Sequence, residues 1–303
     1  MLYQQIDRNK RKTYLIFAIF FVILAAIGSF IGYFFVDNIW YGIIFSLGIA
    51  LVYALVTYFQ STSIVMSMNG AKKLENASDA PKLWHIVEDM SMVADIPLPD
   101  IYIIEDPSPN AFATGRDPQH AAVAVTRGLY DLMDREELEG VMAHEISHVK
   151  NFDIRVSTIS VALSSAIILI CNIIGNLYHF VLPFDNDRDE RSGGWVAVRI
   201  GLWLIGLIFM IIGPIIANLV QMAISRNREY LADASGADLT KNPQGLINAL
   251  KKLQTYDRPM QKVDDASAAL YFSDPQKKKS FEGWFQTHPP LEKRIERLEK
   301  ALQ

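Results

Sequence analysis

The residues whose types and spacing carry the most chemistry are His144, Glu145 and His148, inside the stretch DREELEGVMAHEISHVKNFD from Asp134 to Asp153. Four residues apart on a helix, the two imidazoles stack on one face, where both can reach a single ion. Glu145 projects beside them, placed to act on a water there rather than to complete the cage. Two histidines and a glutamate in this pattern arise by chance in roughly one chain of this length in a hundred. A carboxylate among apolar helix positions is also costly unless something occupies it. The chemistry that such a group serves is metal-assisted hydrolysis. A catalytic zinc commonly takes two His and one Glu, which makes Glu229, in SRNREYLADASGA (Ser225 to Ala237), the candidate third ligand. Asp233 shares its helical face four residues on and can accept the far ring N–H of a bound imidazole, fixing the tautomer. Taken alone, Glu229 and Asp233 read equally as a solvated charge face. Two His and one carboxylate also suit iron or cobalt.

The elements that must position these residues are legible around them. Asp134 and Glu137 form a capping box that starts a helix, and Leu138, Val141, Met142, Ile146 and Val149 give it an apolar stripe. Upstream, the spacing predicts a helix near Pro81, with Ser78 or Asp79 at its cap, and short strands over Ile101–Ile104 and Ala121–Thr126, separated by breaks at Pro107 and Pro109. Downstream, NPQGLINALKKLQ and PPLEKRIERLEKAL read as helices, the second with Glu292, Lys293, Glu296 and Arg297 on its wet side. His85 reads as a helix-surface or satisfied core residue, and His120 sits in a turn with no assigned role.

Half of the 303 residues are hydrophobic and only 20% are charged, a composition that points to membrane spans. Four charge-free runs are long enough to cross a bilayer: Tyr14–Val36, Ile39–Phe59, Val156–Leu182 and Ile200–Ser225. The first is too long for a signal peptide and reads as an uncleaved anchor. The second follows it after a two-residue turn. The expected organisation is an N-terminal transmembrane hairpin (1–60), a catalytic part with the histidine helix (61–155), a second hairpin (156–225) and a further catalytic part (226–303). Basic residues at the start, at Lys72–Lys73 and towards the end place both termini and the histidine helix in the cytoplasm. A net charge of −4 and a pI near 5.9 exclude a broad nucleic-acid surface. The single Cys171 cannot form an internal disulfide and reads as a small core or lipid-facing residue. An ion transporter needs ionisable groups inside its spans, and these four runs hold only His179. A catalytically silent scaffold has no need of Glu145.

HEISH, a span, and a second span ending in SRNREYLADASGA together resemble the HtpX family of membrane zinc metalloproteases, related to the CAAX prenyl endopeptidases. PNAFATG (Pro109 to Gly115) and THPPLEKRIERL (Thr287 to Leu298) match two further family stretches in order and spacing. The resemblance implies a mainly α-helical integral membrane protein: four transmembrane helices plus a cytoplasmic α+β zincin-like metalloprotease domain. It implies one zinc per chain, held by His144, His148 and Glu229, with Glu145 as general acid/base. By the same resemblance, Asn110 and its neighbours align an extended peptide, and Arg228 and His288 are polar groups near the catalytic centre. The implied substrates are protein chains, particularly misfolded or membrane proteins, at the lipid bilayer of a bacterial inner membrane, in protein quality control.

Overall fold

The computed structural model describes residues 2–165, 226–256, 258–263, 267–275 and 289–301. Helix α1 (Leu2–Val36) and helix α2 (Ile39–Met68) come first. They are followed by strand β1 (Lys72–Lys73), α3 (Pro81–Ala94), β2 (Asp100–Ile104), β3 (Ala111–Gly115) and β4 (Ala121–Thr126). Then come α4 (Arg127–Leu132), α5 (Arg135–Lys150) and α6 (residues 153–165), and after the fourth apolar run α7 (Arg226–Thr240), α8 (Pro243–Thr255) and α9 (Leu291–Ala301). The rest of the third run beyond residue 165, the acidic loop after it, the fourth run, Cys171, His179 and His288 lie outside the described residues.

The chain divides into two compact units. One holds the residues up to Thr13, Thr57–Ala162 and the described residues from 226 on; the other holds, among the described residues, Tyr14–Val56 and residues 163–165. In the second unit, α1 and α2 meet through glycines. A Cβ on Gly32 would stand 2.9 Å from the Cα of Gly42, and one on Gly28 would collide with Ser46, so only glycine permits this approach. Asn38 turns the hairpin, its Oδ1 accepting the Trp40 N–H at 2.9 Å. Arg11–Ser29 and α2 are long and apolar enough to cross a membrane. Trp40, Tyr41, Ile44 and Phe45 are more than half exposed, a surface that water does not tolerate over such a length.

The first unit is built on a four-stranded sheet of order β1-β2-β4-β3, in which β2 and β4 run parallel and β3 runs antiparallel to β4. Side chains alternate across it. Ile101, Ile103, Ala113, Val123 and Val125 face a core shared with α3, α5, α8 and α9. Ile104, Phe112, Ala122 and Ala124 face a second cluster with Val65, Met66, Leu270 and Tyr271. Both faces are covered, so β4 reads as an unbroken apolar run, as expected of a central strand. The residue pattern alone marks no strand at β3, where the family resemblance implies an edge segment. Pro107 and Pro109 mark a break in the sequence, but Ala111–Gly115 is buried along its whole length beside β4, with Phe112 fully buried on one face and small residues on the other. The cap of α3 also differs: Ala80 is the N-cap, with Pro81 at the first position, while Asp79 turns back to accept the Glu75 and Asn76 N–H groups.

Candidate metal centre

Helix α5 begins at the capping box anticipated above. Asp134 accepts the Glu137 N–H and Glu137 accepts the Asp134 N–H, both at 2.9 Å, which satisfies two donors at the helix start and stabilises it by about 1 kcal/mol. Leu138, Val141, Met142, Ile146 and Val149 are fully buried, each worth roughly 1.5–3 kcal/mol, so the helix cannot rotate without losing its core. That rotation fixes where His144, Glu145 and His148 point. Gly236 then brings α7 against α5. A Cβ there would lie 2.9 Å from the His144 backbone nitrogen, closer than side chains tolerate, and the bare backbone lets Glu229 and Asp233 reach the histidines.

The result is a buried constellation. The two Nε2 atoms stand 3.2 Å apart, and the Glu229 carboxylate lies 3.6 Å from each, through Oε2 to His144 and Oε1 to His148. Four ligands arranged tetrahedrally at about 2.0–2.1 Å from one ion sit about 3.3–3.4 Å from each other. The two imidazole nitrogens are near that spacing, and with one Glu229 oxygen the three ligand atoms lie within 4.8 Å of one another, close enough to hold a metal. Their far sides agree. His144 Nδ1 donates to Asp233 Oδ1 at 2.9 Å and His148 Nδ1 to Asp153 Oδ2 at 3.2 Å. With both Nδ1 protons so committed, both Nε2 lone pairs face the same point, an arrangement that a shared cation relieves. Burial alone would lower the His148 imidazole, but Glu229 and Asp153 outweigh it and push it up to about 9, so a proton competes with a metal for this ring at neutral pH.

Asp233 is held in turn by Arg294. Its guanidinium, fully buried on α9, donates from Nη2 to Oδ1 at 2.6 Å and from Nε to Oδ2 at 2.9 Å, and its Nη1 reaches the Phe272 carbonyl at 3.0 Å. Burial opposes the Asp233 charge, yet Arg294 and His144 carry the carboxyl down to about 2. Arg294 also stacks on Phe272, whose ring meets His144 edge-on at 4.9 Å. Neither Arg294 nor Asp153 was singled out in the sequence. Arg294 had a signal, being a charge in the apolar stripe of its helix with Leu291, Ile295 and Leu298. Asp153 follows His148 by five residues, beyond the end of α5 at Asn151 and past Phe152, whose φ of 58° breaks the helix.

Glu145 is buried, and burial raises its carboxyl above the usual range, against the pull of the two imidazoles; it accepts the Ala113 N–H. Ala113 is on β3, an edge strand of the described sheet. The Thr126 N–H bonds the Asn110 carbonyl, so alternation turns the N–H and C=O groups of residues 111, 113 and 115 away from β4. Phe272 N–H takes the Ala111 carbonyl at 2.7 Å and Gly115 N–H goes to Thr158 Oγ1 at 2.9 Å. Asn110 is buried and ties down residue 273: Nδ2 donates to the Ser273 carbonyl at 2.8 Å and Oδ1 accepts the Ser273 N–H at 3.1 Å. Arg228 lines the cavity together with His144, Glu145, His148 and Glu229. Its Nη1 is 3.6 Å from Asp153, and its buried Nε and Nη2 have no partner among the described residues. His85 pairs with Glu88, and His120 with Asp117, both at the surface.

The sequence pattern of Peptidase family M48 matches residues 77–302, which include every residue of this constellation. The chain belongs to Peptidase family M48. It is 54% identical to the protein named Protease HtpX homolog of Limosilactobacillus fermentum, over 99% of this chain and the whole of that one. The protein of the same name from Limosilactobacillus reuteri is 54% identical over 98% of this chain and 99% of its own length, and that of Streptococcus pyogenes is 53% identical over the same shares. A crystal structure of S. mikatae Ste24p aligns with 98% of this chain and 67% of that one, at 19% identity and a TM-score of 0.48, a likeness too distant to assign anything here. As an M48 peptidase of the HtpX type, the chain is a membrane metalloprotease acting on protein substrates.

Proposed function

We propose that this M48 peptidase is a zinc endopeptidase of a bacterial cytoplasmic membrane, crossing it four times, with its termini and α+β zincin-like catalytic part on the cytoplasmic side. Membrane and misfolded proteins are its substrates, and quality control is its role. The observation that carries this reading is the convergence of His144, His148 and Glu229, whose ligand atoms lie within 4.8 Å of one another, with Glu145 buried beside them. Two imidazoles and one carboxylate leave a fourth position open, as catalytic zinc sites do. The basic residues before the first span support the orientation, and relatives from Limosilactobacillus and Streptococcus support a bacterial membrane.

Zinc, when bound, supplies Lewis acidity, polarising the scissile carbonyl and bringing the pKa of water towards neutrality. Glu145 takes a proton from the attacking water and delivers it to the leaving amine, a task suited to a carboxyl raised by burial. Asp233 and Asp153 keep the ligand histidines in one tautomer. The Ala113 carbonyl, on the outward edge of β3 and without a partner among the described residues, offers a backbone bond to an extended peptide. Arg228, a lining residue of the same cavity with two buried N–H groups lacking a partner among the described residues, stabilises the substrate carbonyl as it gains charge.

Two results follow. Asp233→Ala lowers zinc affinity by about 10–100-fold, measured by competition with a chromophoric chelator. Arg228→Ala keeps zinc at the parent stoichiometry and lowers kcat by about 10²-fold with little change in KM, because the contact strengthens as the oxyanion forms.

The protein, purified in detergent under chelation and then given zinc, is tested on unfolded casein. Zinc-dependent release of peptides supports the reading. Stoichiometric zinc with no cleavage of casein, or of an inserted membrane-protein substrate, would point instead to a silent scaffold.

A further inference from the structure

Each histidine of the candidate centre leans on a carboxylate, and the two carboxylates are held differently. Asp233 is gripped by Arg294, within the residues that the M48 pattern covers. Asp153 is held from outside them. Asn9, in the segment before the first apolar run, donates from Nδ2 to Asp153 Oδ1 at 2.8 Å and to the Asn151 carbonyl at 3.3 Å. It is 3% exposed, though it sits in the run Arg8-Asn9-Lys10-Arg11-Lys12.

A buried carboxylate requires donors on both oxygens, and Asp153 is 6% exposed. Its Oδ2 takes the His148 N–H. For Oδ1, Arg228 at 3.6 Å is beyond hydrogen-bonding reach, so the Asn9 amide is the hydrogen-bond donor there among the described residues. The second Asn9 bond goes to the residue that caps α5, the helix carrying both imidazoles. One side chain therefore pins the carboxylate to the end of the helix whose histidine it orients. Its neutrality matters. A lysine here would draw the Asp153 charge to itself and away from the His148 N–H, whereas an amide fixes the geometry and leaves the charge with the imidazole.

We propose that Asn9 is a positioning residue of the metal centre, and that the N-terminal segment, outside the matched peptidase residues, completes the shell around His148. The proposal rests on the zinc reading above. Without the Asn9 amide, Asp153 is free to turn towards Arg228, and His148 loses its fixed ring orientation.

The full-length protein tests this through its zinc dissociation constant, read by chelator competition, and the absorption spectrum of the cobalt-loaded form. Asn9→Ala is expected to weaken zinc binding by about three- to tenfold and to shift the cobalt bands, with Arg11→Ala, an exposed neighbour, at parent values. Asp153→Ala weakens binding by about 10–100-fold. The double variant is then no weaker than Asp153→Ala alone, because Asn9 acts through that carboxylate. Parent affinity and spectrum in Asn9→Ala would overturn the proposal, and so would losses that simply add in the double variant, which is the outcome for a merely structural residue. A parent that binds no zinc, or a Glu229→Ala variant that binds as tightly as the parent, would defeat the zinc reading itself.

Discussion

Glu145→Gln is expected to leave zinc bound at one per chain and to reduce peptide hydrolysis by about 10²–10⁴-fold, the usual contribution of a positioned base. The glutamine keeps the volume of the side chain and can still accept the Ala113 N–H through its carbonyl, so the local packing has no reason to change. What it loses is the ability to take a proton. Glu145 lies on the same helix as the ligand pair yet is not in the set of converging ligand atoms, which consists of His144, His148 and Glu229. Metal content and cleavage therefore separate in this variant. Zinc by atomic emission and casein cleavage on the same preparation make the check. Loss of both together would move Glu145 into the ligand set, and cleavage within tenfold of the parent would require another base.

Glu229→Ala gives the opposite pattern. Removing one of three ligands leaves two imidazoles in a buried cavity, and the affinity is expected to fall by more than the roughly 10–100-fold typical of an outer partner. Burial sharpens the effect. Glu229 is 4% exposed, so water does not readily take over its place. The same carboxylate favours the protonated His148 ring, so its removal eases proton competition there and offsets a part of the loss without supplying a ligand. The variant should purify with little zinc and regain cleavage only at a large excess of the metal. A one-to-one zinc content after dialysis against a weak chelator would place the third ligand elsewhere.

Much of this site is legible from the residues because its chemistry is local. His144, Glu145 and His148 share one helix whose start is written in the Asp134 and Glu137 box, and Glu229 and Asp233 share another. What the sequence does not disclose is how the two helices meet. That depends on Gly236, an ordinary glycine in ASGA until the His144 backbone is set against it. β3 left no strand pattern because its five residues follow two prolines and do not alternate apolar with polar, and its pairing with β4 is a tertiary fact rather than a periodicity. The partners of the histidines grade in the same way. Asp233 is four residues from a candidate ligand and was legible; Arg294 left a trace as a cation in an apolar stripe; Asp153 needed the turn at Phe152; Asn9 lies 144 residues from its partner in a run of basic residues and left no trace.

The most direct measurement of the central claim is the zinc-edge X-ray absorption spectrum of the zinc-loaded protein, with Glu229→Ala run beside it. The account predicts a shell of nitrogen and oxygen at about 2.0–2.2 Å, with the outer scattering of two imidazoles and no sulfur. The variant keeps the imidazole pattern and loses one light-atom neighbour. A sulfur at about 2.3 Å, or a single imidazole, would contradict a centre built on His144, His148 and Glu229.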